Sequence, residues 1–297
     1  MINVLLLRAP SQNPDSPDRY DSMFRDSGYR ASSVPVLETV LTNLETLTDI
    51  VRSGSRHAGV IITSGRACEA WSKACETLEN QSSQEVPSQE SDWSSTPFYV
   101  VGKNTASMLT AIRLAHPQSR FVPRDTRGES SGTSEQLARF ILADLESSPE
   151  SAQLPLLYLT GDKNRDTLPD ILRRGGLELS PLQVYQTQGS ESFPRDLKLA
   201  IESSPHLESN TWWIVFFAPS AAEFVTPFLR HHFDLRSTDG SVSSTTQSPA
   251  RIASIGPTTS TYLQDQLNLQ VDAVAIRPTA EDLVQAVLGC DQSRGWR

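Results

Sequence analysis

The residues that could do chemistry in this chain are hydroxyls and glycines standing at the ends of apolar runs. Thr63-Ser64-Gly65 closes the run GVIIT (59–63), and Gly102 to Ser107 closes FYVVG (98–102). Thr160-Gly161 ends LLYLT (156–160), Pro219-Ser220 follows WIVFFA (213–218), and Gly256 to Ser260 ends IASIG (252–256). If each run is a parallel strand leading into a helix, these residues lie at strand carboxyl ends, beside helix N-termini with free backbone N–H groups. Such places suit carboxylates and phosphates. Any one of Ser64, Thr105, Ser220 and Thr259 could equally be a plain helix N-cap. Their recurrence at four equivalent strand ends favours a ligand-binding role.

Other chemistries lack their residues. No GxGxxG follows a strand and no GxxxxGK[ST] occurs, which disfavours dinucleotide and P-loop chemistry. A GxSxG elbow is absent too. Cys68, Cys75 and Cys290 form no CxxC pair. Cys68 and Cys75, seven apart, share a helix face, but no third metal ligand is near. The histidines (His57, His116, His206, His231, His232) show no HExxH spacing and read as solvated residues in or beside loops. The expectation is a site without metal, redox cofactor or strong nucleophile.

The elements that must position the site follow from composition. A length of 297 residues suggests about two domains. With 26 Lys+Arg against 35 Asp+Glu the formal charge is −9, the wrong sign for a general nucleic-acid binder. Hydrophobic residues reach only 37 %. That deficit concentrates in three Ser/Gln/Pro-rich stretches, Asn80 to Thr96, Ser147 to Gln153 and Arg236 to Pro249, which read as surface loops. The opening run Val4-Leu5-Leu6-Leu7 is too short for a signal peptide or a membrane span. A cytoplasmic protein without a membrane or nucleic-acid partner is expected. Strands are expected at 3–7, 59–63, 98–102, 156–160, 213–218 and 252–256, alternating with amphipathic helices, the pattern of parallel α/β sheets. One helix stripe is Ala67, Ala70, Trp71, Ala74 and Leu78; another is Ala221, Phe224, Val225, Phe228 and Leu229.

The second half of the chain repeats the first. Gly28 to Thr39 (GYRASSVPVLET) matches Gly176 to Thr187 (GLELSPLQVYQT). Gly59 to Trp71 matches Trp213 to Val225, and Phe98 to Leu109 matches Ile252 to Leu263, placing Gly102 over Gly256 and Thr105 over Thr259. TSEQL (133–137) matches TAEDL (279–283), each opening a helix like a capping box. Four matches in one order point to a duplication. Two such halves usually enclose a cleft, where ligands bind.

With these pieces in view, the chain resembles the uroporphyrinogen-III synthase family. The resemblance rests on VLLLR (4–8), PVLET (35–39), ITSGRA (62–67), YVVGKNTAS (99–107), LPLLYLTG (154–161), VYQT (184–187), FFAPS (216–220) and ASIGPTT (253–259), in the family's order. The long Ser-rich insertions point to a fungal or other eukaryotic member. The resemblance implies two similar parallel-sheet α/β domains joined by two extended connectors, with a cleft between them. One domain would be 1–35 plus 188–297, the other 40–181, with connectors 36–39 and 182–187; the two Gly-to-Thr segments would be the crossing pieces. It also implies a monomeric, cofactor-free, cyclising lyase. The substrate would be hydroxymethylbilane, a linear tetrapyrrole with eight carboxylates, converted to uroporphyrinogen III by inversion of ring D and loss of water.

By the same resemblance Tyr185 is the candidate acid or hydrogen-bond donor to the leaving hydroxyl. It alternates with Val184 on an extended segment, so it faces the cleft if Val184 packs inward. A phenol, with a reference pKa of about 10, carries a proton to donate at neutral pH. Ser64, Arg66, Thr105, Ser220, Thr258 and Thr259 match the family's substrate-binding loops, and Ala218 stands where a Ser is common. Lys163 and Arg165 are further partners for substrate charge, or equally a solvated helix start. A non-catalytic bilobal module binding a small anionic ligand remains the alternative.

Overall fold

The computed structural model describes residues 2–11, 17–54, 56–81, 92–147, 153–203, 211–238 and 247–293. The first half runs β1 (Asn3–Leu7), α1 (Arg19–Asp26), β2 (Arg30–Ser33), β3 (Leu37–Leu41), α2 (Leu44–Ser53), β4 (Gly59–Ile62), α3 (Gly65–Gln81), β5 (Pro97–Val100), α4 (Lys103–Ala115), β6 (Asp125–Arg127) and α5 (Ser134–Glu146). The second runs β7 (Leu156–Thr160), α6 (Thr167–Arg174), β8 (Leu179–Gln183), β9 (Tyr185–Gly189), α7 (Phe193–Glu202), β10 (Trp212–Phe216), α8 (Pro219–His232), β11 (Phe233–Leu235), β12 (Ser248–Ser254), α9 (Pro257–Asp265), β13 (Ala273–Val274) and α10 (Ala280–Ser293). Contacts divide the chain into unit 1, Met1–Glu38 with Gln188–Arg297, and unit 2, Thr39–Thr187.

Unit 1 is built on a parallel sheet in the order β11-β12-β10-β1-β2, with β13 paired to the end of β12. Its central strand NVLLL is buried along its whole length because both faces are covered. Val4 and Leu6 point to one face, where Phe24 of α1 and Leu283, Val284 and Val287 of α10 meet them. Leu5 and Leu7 point to the other, against Phe193 and Leu197 of α7 and Val225 and Leu229 of α8. Burying one such side chain stabilises by about 1.5–3 kcal/mol.

Unit 2 repeats the plan with a parallel sheet in the order β6-β5-β4-β7-β8. Val60, Ile62, Phe98, Val100, Leu157 and Leu159 face α2, α3 and α4. Ile61, Tyr99, Leu156 and Tyr158 face Leu137 and Ile141 of α5 and Leu168 and Leu172 of α6. The order β12-β10-β1-β2 in unit 1 corresponds to β5-β4-β7-β8 in unit 2, so the sequence repeat is a structural repeat. Each sheet mixes the halves: β1, which carries β2 on its far edge, pairs with β10 of the second half, and β7, which carries β8, pairs with β4 of the first.

The matched segments show why they match. Gly28 follows α1 with φ 81°, and Gly176 follows α6 with φ 84°. Tyr29 N–H then reaches Phe24 O (3.0 Å) and Leu177 N–H reaches Leu172 O (3.1 Å), the bond that closes a left-handed helix end. Only glycine adopts that φ without strain. Thr133 and Thr279 accept from Gln136 N–H (3.2 Å) and Asp282 N–H (3.3 Å), capping α5 and α10 as the repeat suggested.

Two expectations need correction. The Gly-to-Thr segments are not wholly crossing pieces, because 30–33 and 179–183 are edge strands β2 and β8; only β3 and β9 form the two-stranded connector sheet. Trp93, inside a stretch read as a surface loop, is fully buried. Its Nε1 donates to Val51 O at 2.9 Å and its ring meets Trp71 edge-on. The rest of the three polar stretches lies largely outside the described residues. Helix α10 also carries a fully buried acid that no pattern revealed: Asp291 accepts from Tyr29 hydroxyl (2.6 Å), Arg251 Nη1 (2.8 Å) and Trp213 Nε1. Among the described residues no helix is long and apolar enough to cross a membrane.

Candidate active site

In unit 2 the chemistry-bearing residues gather at the carboxyl ends of β4, β5 and β7. Ser64 follows β4 and its Oγ accepts from Ala67 N–H at 3.3 Å, an N-cap of α3. Arg66, exposed on the first turn, is held by Glu69 at 2.7 Å. Exposed pairs of this kind contribute at most about 1 kcal/mol, so a ligand carboxylate can take the guanidinium over. Gly102 caps α4 with extended backbone and no side-chain cap, leaving the first N–H groups of α4 without a side-chain partner. Thr105 is buried on that first turn. The starts of α3 and α4 lie side by side: Cys68 Sγ is 3.9 Å from Thr105 O, and Gly65 abuts the Met108 thioether.

At the end of β7 the loop Gly161 to Asp166 is exposed except for buried Gly161. Asn164 folds back on it: Gly161 N–H donates to Asn164 Oδ1 (3.3 Å), and Asn164 Nδ2 donates to Gly161 O (2.6 Å). Lys163 and Arg165 flank this amide and point into solvent. Val184 is fully buried, its N–H bonded to Thr160 O and its O accepting from Thr42 N–H, both at 2.9 Å. The alternation expected from sequence then presents Tyr185 half-exposed, its ring lying over the bare Cα of Gly161. Tyr158 stands nearby. Burial raises its phenol pKa, a hydrogen bond shared with Thr63 lowers it, and the Tyr185 hydroxyl raises it again, for a net rise. Thr63 at the end of β4 and Tyr158 of β7 thus share a hydrogen bond within electrostatic reach of Tyr185. Reading by residue type and loop position named Thr63 and Gly161 as strand-end residues without their partners, and missed Tyr158 and Asn164.

In unit 1 the equivalent places follow β10 and β12. Ala218 and Gly256 cap α8 and α9 with extended backbone and without a side-chain cap, and Pro219 and Pro257 supply the first residue of each helix. Proline fits there because its missing N–H has no helical partner anyway. Ser220 and Thr258 come next and are exposed; Thr259 is buried. Thr105 and Thr259 therefore hold the same third position of α4 and α9, and neither is an N-cap; of the four hydroxyls weighed as caps, only Ser64 is one. The end of β1 carries Arg8, bound by both oxygens of Asp18 (2.8 Å each) and stacked over Tyr20. Burial alone would raise Asp18, but Ser11 N–H and Arg8 outweigh it and hold the carboxyl below its usual value.

The cysteines and histidines sit apart from these places. Burial pushes the Cys68 and Cys75 thiols up to about 12, so they stay protonated at neutral pH. Among the described residues no three metal-binding side chains come together. The expectation of solvated histidines needs correction for two of them. His57 is half-buried and stacked on Trp93, and His116 Nδ1 lies 2.6 Å from Glu79. Solvent-exposed His231 and His232 end α8, and His206 is outside the described residues.

Known proteins were compared with this chain. The family model for uroporphyrinogen-III synthase HemD matches residues 18–285. The uroporphyrinogen-III synthase of Schizosaccharomyces pombe is 28 % identical over 293 residues, covering 98 % of each chain. That of Saccharomyces cerevisiae is 27 % identical over 296 residues, covering 96 % of this chain and 95 % of its own. Among solved structures, uroporphyrinogen-III synthetase from Helicobacter pylori aligns over 97 % of this chain and 99 % of its own at 18 % identity, with a TM-score of 0.44. Since the family model spans nearly the whole chain, both units and the strand-end loops included, this chain belongs to the uroporphyrinogen-III synthase family.

Proposed function

We propose that this enzyme closes hydroxymethylbilane to uroporphyrinogen III with Tyr185 as the proton donor. Tyr185 gives its proton to the hydroxymethyl oxygen, the C–O bond breaks and water departs, leaving an azafulvenium on the terminal pyrrole and a phenolate at Tyr185. Ring D's substituted carbon then attacks, the spiro intermediate reopens by breaking its bond to the ring C side, and the free carbon of ring D closes the macrocycle, releasing a proton that restores the phenol. The electron-rich pyrrole drives the departure, so the protein's main task is steering, because unassisted closure gives the uninverted isomer. Fixed donors that hold a flexible substrate in one near-attack geometry suit that task.

One observation carries this reading: a phenol seated on Gly161 at the carboxyl end of β7, in the sheet whose other strand ends lead into Ser64 and the start of α4, which has no side-chain cap. Ser64, Arg66 and Thr105 in unit 2, and Ser220, Thr258 and Thr259 in unit 1, are the proposed partners of the eight carboxylates. Lys163 and Arg165, exposed on the loop after β7, add charge at the margin of the site. The same proposal places the enzyme in the cytoplasm as a monomer that needs no cofactor or nucleic-acid partner. The family assignment does not favour a purely binding module. Freshly prepared hydroxymethylbilane, incubated with the protein and oxidised, tests the proposal by separation of the porphyrin isomers. Type III in excess over type I is expected. Type I alone, at the rate of the enzyme-free control, would sink it.

A further inference from the structure

Tyr185 reaches its place across an unusual seat. A Cβ built on Gly161 would have as its three nearest atoms Cε2, Cζ and Oη of Tyr185, all within 3.0 Å. The phenol therefore lies directly against a backbone that carries no side chain. Gly161 is not among the glycines with positive φ, so its conformation is open to alanine and the phenol is what excludes a methyl there. Nothing in a turn requirement explains this glycine; the ring above it does.

The seat is fixed as well as bare. Asn164 holds both peptide groups of Gly161, accepting from its N–H at 3.3 Å and donating to its C=O at 2.6 Å. A loop between two exposed cations would otherwise move freely at the end of β7, and the ring resting on it would move too. On the connector side Val184 is pinned by two backbone bonds at 2.9 Å, to Thr160 O and from Thr42 N–H. Ring and seat thus meet at one peptide group, whose Thr160 O accepts from Val184 N–H while its Gly161 N–H donates to Asn164.

We propose that Gly161 and Asn164 are positioning residues that set the height and plane of the Tyr185 phenol, with Asn164 holding the Gly161 backbone and Gly161 seating the ring. The effect on turnover rests on the proposed role of Tyr185 as donor; the effect on ring position does not. The two cations beside Asn164 draw the eye in the sequence, but it is the neutral amide between them that touches the seat.

The test combines ring position with kinetics in the full chain. With tyrosines labelled in the ring carbons, the chain's six tyrosines give separate signals, and those of Tyr185 are the ones missing from Tyr185→Phe. Gly161→Ala should shift the Tyr185 signals while leaving the more distant tyrosines, such as Tyr20 and Tyr29, in place; Asn164→Ala should move or broaden the same signals. In turnover of hydroxymethylbilane, Gly161→Ala should lower kcat about tenfold or more with KM within about twofold, since an ångström of misplacement at a reacting group costs up to about a hundredfold. Added to Tyr185→Phe it should cost nothing further. Tyr185 signals that stay put in Gly161→Ala overturn the seat, and signals that stay put in Asn164→Ala overturn the amide's part. A kcat loss fully additive with that of Tyr185→Phe also overturns the proposal. Full activity in Tyr185→Phe itself rejects the donor role instead, while the shifted signals still report the seat.

Discussion

A hydroxyl at the start of a helix serves either the helix or a ligand, and its position within the first turn separates the two. Ser64 is spent on Ala67 N–H, whereas Thr258 stands two residues further into a helix without a side-chain cap and is exposed. Ser64→Ala is therefore expected to lower stability by about 1 kcal/mol, the usual value of such a cap. Thr258→Ala should leave stability within about 0.5 kcal/mol, as for surface changes generally, and raise KM. Urea unfolding and steady-state kinetics on the two variants check this; a KM unchanged in Thr258→Ala removes that residue from binding. At this scale the sequence made the kinds of residue visible, not their partners. Thr105 and Thr259 align with each other in the repeat, and the structure places both at the third helical position, buried. Asn164 escaped because an amide in a charged loop has no spacing signal; its partner is the backbone three residues before it.

Elements were legible in proportion to how far they are buried. The expected strands at 3–7 and 156–160 coincide with β1 and β7, which lie inside their sheets and read as unbroken apolar runs. The edge strands β2 (RASS), β6 (DTR) and β8 (LSPLQ) are only half-buried or less and carry polar residues, so neither alternation nor propensity singles them out. Trp93 illustrates the opposite failure. Its neighbours are Ser, Asp and Glu, and its burial depends on Val51, 42 residues away, which no local window contains. Trp93→Ala should destabilise the protein by about 3–5 kcal/mol, as for other buried aromatics. Trp93→Phe, which keeps most of the volume and loses the bond to Val51 O, should cost markedly less. Denaturant midpoints measure both, and a loss under about 1 kcal/mol in Trp93→Ala would contradict the burial.

For the whole molecule the duplication was the strongest signal, because four weak matches in one order outweigh any single motif. It reached the structure as two sheets with one strand order. Net charge adds a further expectation. A protein of charge −9 repels a substrate bearing eight carboxylates from a distance, while strand-end donors attract it at contact. Raising ionic strength from about 10 to about 100 mM shortens the screening length from about 30 to about 10 Å, which weakens the distant term first. The value of kcat/KM should therefore rise over that range. A steady fall would mean that cations such as Arg66, Lys163 and Arg165 dominate the encounter.

The mixing of halves within each sheet also bears on how the chain is made. Residues 39–187 of unit 2 leave the ribosome as one continuous stretch, ready to fold on their own. Strand β1 must wait, because its neighbour β10 begins about 200 residues later. At a synthesis rate of about 5–20 residues per second that interval is about 10–40 s. Throughout it, one edge of an apolar strand and much of both its faces have no native cover in the nascent chain. Chaperone binding sites on this protein should accordingly concentrate at its first ten residues, and a message cut short after unit 2 would leave that strand permanently without its partner.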